Sequence, residues 1–179
     1  TSGASAGNLG IAGSLAINVF EAVSNARVTN GTTLVLRDGG DSAIDTGALA
    51  VTANSRAMAT IGAKAAVKGA ENFGAGGSFA LNITDHATRA SIDTGAIIDS
   101  ATGTAGAVTV SATATYGMRT EAEGGAEGGT ALSPVAAISY ALNDTTALVQ
   151  AGAGAKITGN LLVSADQRVE TVTDAKGDA

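Results

Sequence analysis

The chain has 179 residues, including 25 glycines, one proline and no cysteine or tryptophan, and only 3% of it is aromatic. That excludes a disulfide framework and a thiolate zinc site, and it argues against a core of large side chains. The net charge of −6, with Lys and Arg scattered from Arg27 to Lys176, argues against nucleic-acid binding. No run approaches the roughly 18 apolar residues of a membrane-spanning helix.

In chain order, Ser14–Val19 alternates with period two. Leu15, Ile17 and Val19 share one face, and Ala16 and Asn18 the other. Ser24–Val28 follows, then turn signals at Asn30-Gly31 and Asp38-Gly39-Gly40-Asp41. Gly47–Ala53 alternates again, with Leu49, Val51 and Ala53 on one side. Ile61–Glu71 is the best helical stretch. Even there, alanines interleaved with Thr, Ser, Gly and Val favour strand. Ser78–Ile83 repeats the Ser14–Val19 pattern and Thr88–Ile92 that of Ser24–Val28. Asp93-Thr94-Gly95 marks a turn, and Gly106–Ala112 repeats Gly47–Ala53. Ser139–Asn143, Thr145–Val149 and Gly159–Ala165 complete a third set, with a turn at Thr158-Gly159-Asn160.

Three ordered copies predict a repeat architecture. The chain reads as one segment, 1–179, with internal repeats at about 10–69, 70–129 and 130–179. Thr1 at one end and Ala179 at the other suggest a piece of something longer. Short alternating strands and small side chains predict an all-β parallel solenoid. Each unit would divide into about three coils of roughly 20 residues, giving eight or nine coils in a rod about 40 Å long. Pro134 belongs at a strand start or a corner. A hairpin-built β-sandwich or a β-roll uses the same alternation, so both stay open. Asn30-Gly31 is the one clean type I′ dipeptide that would favour hairpins.

The elements from Gly47 (Gly-Ala-Leu-Ala-Val-Thr-Ala), from Ser78 (Ser-Phe-Ala-Leu-Asn-Ile-Thr-Asp) and from Leu132 (Leu-Ser-Pro-Val-Ala-Ala-Ile-Ser) resemble repeats of giant bacterial surface adhesins. These are the filamentous haemagglutinin-like and leukotoxin-like proteins, and the resemblance covers nearly the whole chain. It implies a right-handed parallel β-helix, placed outside the cell or on its surface. The role it implies is structural, a stalk or interaction module for cell-surface or cell–cell contact. Its partners would be neighbouring repeats of the parent chain and glycans or proteins on another surface. Nucleic acid and membrane insertion are not expected. The resemblance supplies no catalytic residues.

The residues themselves offer little chemistry, and no catalytic, cofactor or metal position is assigned. His86, the single histidine, reads as an exposed residue near a strand end, with no GxSxG nucleophile beside it. Asp38, Asp41 and Asp45 could gather around calcium as in a β-roll, although the middle glycine of that loop is missing. Otherwise they form a polar corner. Glu121, Glu123 and Glu127 could serve a polysaccharide-cleaving site. Aromatic platforms and basic neighbours are scarce, and a solvated loop is the plainer reading. Asn18, Asn82 and Asn143 recur once per unit, in coils expected to lie too far apart for contact. The working expectation is therefore a non-enzymatic adhesin stalk. A polysaccharide-cleaving β-helix enzyme or a calcium-dependent β-roll is the alternative.

Overall fold

The computed structural model describes residues 2–5, 7–36, 47–100 and 106–179. They form strands and no helix. In order these are β1 (Ser2–Ser5), β2 (Leu9–Val28), β3 (Thr33–Leu36), β4 (Leu49–Lys68), β5 (Phe73–Ile92) and β6 (Ile97–Ser100). They continue with β7 (Val108–Gly125), β8 (Thr130–Leu132), β9 (Val135–Val149), β10 (Gly154–Ala155) and β11 (Leu161–Asp178). The stretch Ile61–Lys68 lies inside β4.

Every pairing is parallel. Sheet I runs β1-β4-β7-β11, sheet III runs β3-β6-β10, and in sheet II β5 lies between β2 and the collinear pair β8 and β9. Each pass of the chain therefore lays one long strand in sheet II, one short strand in sheet III and one long strand in sheet I. The arrangement is all-β with long parallel strands, and it is compatible with a β-solenoid. Parallel pairing of β2, β5 and β9 removes the hairpin sandwich from consideration.

The expected division of each unit into three short coils is overturned. The strands that pair are whole units apart: Leu49 lies opposite Val108, Val108 opposite Leu161, and Leu9 opposite Phe73. The described residues thus give sheets three or four strands deep, not eight or nine coils. The physical reason is strand length. With no Pro and few charges to interrupt them, β2, β4 and β5 each run for 20 residues. At ~3.3 Å per residue and ~4.8 Å between strands, the stack is about 65 Å wide and only about 15 Å high. It is a broad ribbon rather than a slender rod.

The corners repeat as the strands do. Between sheets II and III the chain turns at Gly31, Gly95 and Gly152, with φ of 72°, 74° and 81°. Left-handed backbone at the same place in each pass explains the glycines. Asn30-Gly31 is thus a corner between two sheets, not a hairpin. Pro134 falls between β8 and β9, immediately before Val135. Having no N–H to give the ladder, it splits what would otherwise be one long strand.

The core lies between sheets I and II. From sheet I, the alternation turns Val51, Ala53, Ala63, Ala65 and Val67 inward. From β5, the inward set is Ser78, Ala80, Asn82, Thr84, His86, Thr88, Ala90 and Ile92. Ala63, Ala80 and Ala122 meet at the centre, where the sheets approach closely. Toward sheet III the interior becomes Val and Ile, with Val108, Val110, Ile92 and Ile98 fully enclosed. At the other end the sheets pinch. A Cβ at Gly76 would stand 2.0 Å from the Gly125 carbonyl oxygen, so only glycine fits.

In sheet II this phase reverses the ordinary rule. The large apolar residues Leu15, Ile17 and Val19 point outward, while Ala16 and Asn18 point in.

Candidate functional site

His86 lies in mid-strand, in phase with Ala80, Asn82 and Thr84, and is only 2% exposed. The expectation of an exposed strand end is therefore wrong. Its ring stacks on Tyr116 at 4.4 Å and meets the edge of Phe20 at 5.4 Å. Burial holds its pKa below the usual 6.5, and the neighbouring Asp85 carboxylate offsets that only in part. Tyr116 and Thr88 share a hydroxyl hydrogen bond of 2.5 Å. His86 Nδ1 has no hydrogen-bond partner, nor do Asn143 Oδ1 and Thr145 Oγ1 on the neighbouring strand. Neither serine nor a carboxylate lines the narrow void beside the ring. The arrangement packs a neutral imidazole between aromatic rings and shows no nucleophile–base pair.

The asparagine expectation is half corrected. Asn18 and Asn82 stand directly opposite one another, and Asn18 Nδ2 donates to Asn82 Oδ1 at 2.9 Å. Asn82 Nδ2 in turn reaches across to the carbonyls of Ala59 and Arg119 in sheet I, at 3.3 and 3.4 Å. Asn143 is not the third member, because it pairs with His86. Ser139 takes the place opposite Asn82, four residues earlier, and its hydroxyl bonds Thr120 and Thr173. A polar seam thus crosses the apolar interior and ties sheet II to sheet I.

Glu121 and Glu123 belong to β7, not to a loop, and face outward from sheet I. Glu121 pairs with Arg119, and Glu123 with Lys64 at 2.7 Å. Glu127 sits in the following turn and accepts the Gly69 N–H at 3.1 Å. Each carboxylate is held by a different local partner rather than turned toward a shared centre. Among the described residues no group of three or more His, Cys, Asp or Glu is placed to hold a metal. Asp38, Asp41 and Asp45 lie outside the described residues.

The two outer faces differ in kind. Sheet I presents Thr109, Ser111, Thr113 and Thr115 on β7, flanked by charged side chains on β11. Sheet II presents aligned rows of large apolar groups. Leu15 stands beside Phe79, Ile17 beside Leu81 and Ile138, and Val19 beside Ile83 and Tyr140. Leu15 is 67% exposed and Val19 73%. Beyond them come Glu21 and Asp85, and Arg89 pairs with Asp144 at 2.6 Å. Hydrogen bonds from Thr146 and Arg89 hold the Asp144 carboxyl below the ordinary range. The outward phase of the Leu-Ile-Val rows was the feature that sequence reasoning missed. Its signal was present, because the inward partners Ala16-Asn18 and Ala80-Asn82 are small or polar in both copies.

No protein family, curated protein or solved structure matches the chain.

Proposed function

We propose that this chain is a right-handed parallel β-solenoid segment of a large exported bacterial adhesin, serving as a structural and interaction module at the cell surface. One observation carries the reading: successive units stack residue by residue across whole strands. Leu49–Ala66 and Leu161–Asp178 both align with Val108–Gly125 without a register break. A pattern of this kind extends by adding units, since each pass needs chiefly the pass below it. β2 and β11 stand at the edges of their sheets and offer long ladders for further units.

The breadth of each pass shapes the role. About 60 residues raise the stack by only ~4.8 Å, a costly way to gain reach. They present two wide, flat faces, and display of surface is the better use of such a ribbon. The role is non-enzymatic, in keeping with carboxylates paired singly along an open face.

Force spectroscopy from the two termini tests the mechanical part. Peeling one unit at a time should release contour steps of roughly 180–230 Å, the extended length of 53 to 64 residues. A single step for the whole chain would count against separable stacked units. Beads coated with the chain, presented to cells and competed with soluble chain, test the contact role. Absence of competable retention on any cell surface would count against it.

A further inference from the structure

We infer that the outer face of sheet II is a self-association surface, and that a second copy of this chain docks on it face to face through a twofold axis. The face holds six consecutive rows of outward positions, from Leu9–Phe73 to Val19–Ile83–Tyr140. No charged side chain stands among them; Glu21 and Asp85 open the next row.

The relief of this face is self-complementary. The third row consists of Gly13, Gly77 and Pro134, and it leaves an open groove of about 570 Å³ across the strands. In the fourth row Leu15 and Phe79 stand as a ridge along one wall of that groove, which ends at the smaller Ala136. Groove and ridge are the two middle rows of the six. A twofold axis between them seats each copy's ridge in the other's groove and covers the whole apolar set in one operation. That reciprocal contact, residue i on j and j on i, is what a closed dimer requires.

The area agrees. Six rows spaced ~7 Å apart across three strands spaced ~4.8 Å apart give on the order of 550 Å² per copy. Two copies together would bury about 1,100 Å², close to the ~1,000 Å² at which specific association begins. Sheets pack face to face at about 10 Å, the spacing such a contact would take. An anionic lipid surface fits less well, because the chain is acidic and, among the described residues, no basic cluster flanks the patch. In the longer stack proposed above, the same contact would pair ribbons laterally and grow with every added unit. The dimer of the 179-residue chain itself does not depend on that role.

Sedimentation equilibrium on the chain, from micromolar to near-millimolar concentration, provides the test. The wild type should show a monomer–dimer equilibrium. Phe79→Glu and Ile17→Glu should each weaken it by about tenfold or more, since each buries an unpaired charge. Thr113→Glu on the outer face of sheet I should leave it unchanged. Far-UV circular dichroism confirms that the variants keep their strands. A chain that stays monomeric throughout would overturn the inference. So would open-ended assembly indifferent to both face variants, because that is edge-to-edge strand pairing. Flotation with anionic vesicles in place of dimerisation would overturn it too, and assign the face to lipid.

Discussion

Replacing Ala80 by leucine tests the inverted phase of sheet II. Ala80 is fully buried and meets Ala63 and Ala122 of the facing sheet, with Ala16 and Ala137 beside it in its own. Leucine adds three carbons. Were there room, burying them would stabilise the protein by roughly 2.4 kcal/mol at ~0.8 kcal/mol per methylene. The facing positions are alanines in close approach, so the added volume must push two long sheets apart. Overpacking of this kind costs about 1–3 kcal/mol. The neighbouring Leu81→Ala removes a larger side chain from the outer face, where, at concentrations dilute enough to keep the chain monomeric, solvent fills the gap and no cavity remains. Its cost should be about 1 kcal/mol or less, well under the ~2–5 kcal/mol of a core Leu→Ala change. Urea unfolding followed by circular dichroism measures both. If Ala80→Leu were neutral or stabilising while Leu81→Ala cost several kcal/mol, Leu81 and not Ala80 would be the core residue.

Other consequences follow from the same interior. Gly76→Ala places a methyl 2.0 Å from the Gly125 carbonyl oxygen, so the pinched corner must open, at a cost of at least ~2 kcal/mol in chemical denaturation. Asn82→Leu leaves the Asn18 amide and two sheet I carbonyls without their partner. It should lower stability by about 1–3 kcal/mol despite adding apolar volume. His86 makes stability depend on pH. Its folded pKa lies below the unfolded value of 6.5, so the native state binds fewer protons than the unfolded chain. The stability is complete above pH 6.5 and declines as pH falls below it, by at most ~1.4 kcal/mol per pH unit, until the depressed folded pKa is passed. His86→Phe should flatten urea midpoints between pH 7 and 5; an unchanged slope would place the titration elsewhere.

The strands and their units were legible because alternation and repetition are local signals. The match of Gly47 with Gly106 and Gly159 gave the true register of sheet I, where Val51, Val110 and Val163 stack. The match of Ser78 with Ser139 did not, because Asn82 pairs with Ser139 and Asn143 with His86. Ala-rich strands resemble themselves at several offsets, and a slip of four residues keeps the inward and outward faces the same. Coil length was misjudged because only short alternating elements were read as strands, with the glycines of Gly74–Gly77 and Gly124-Gly125 left outside them. In the fold they are places where two sheets come close, and β5 and β7 run on through them. Burial of His86 needed the phase of β5 against sheet I, a tertiary fact that no window of sequence contains.

Parallel stacking of whole units in one register can be measured by cross-linking, because the chain contains no cysteine of its own. Thr52 stands opposite Ser111 near the start of the strand pair, and Thr60 opposite Arg119 eight residues further along it. With Cα atoms ~4.8 Å apart, both pairs fall within the 4.4–6.8 Å that a disulfide spans. The double variants Thr52→Cys with Ser111→Cys, and Thr60→Cys with Arg119→Cys, should each close an intramolecular disulfide on oxidation. Closure of only one pair, or of neither, would show antiparallel or shifted strands, and would contradict the stacked-unit fold.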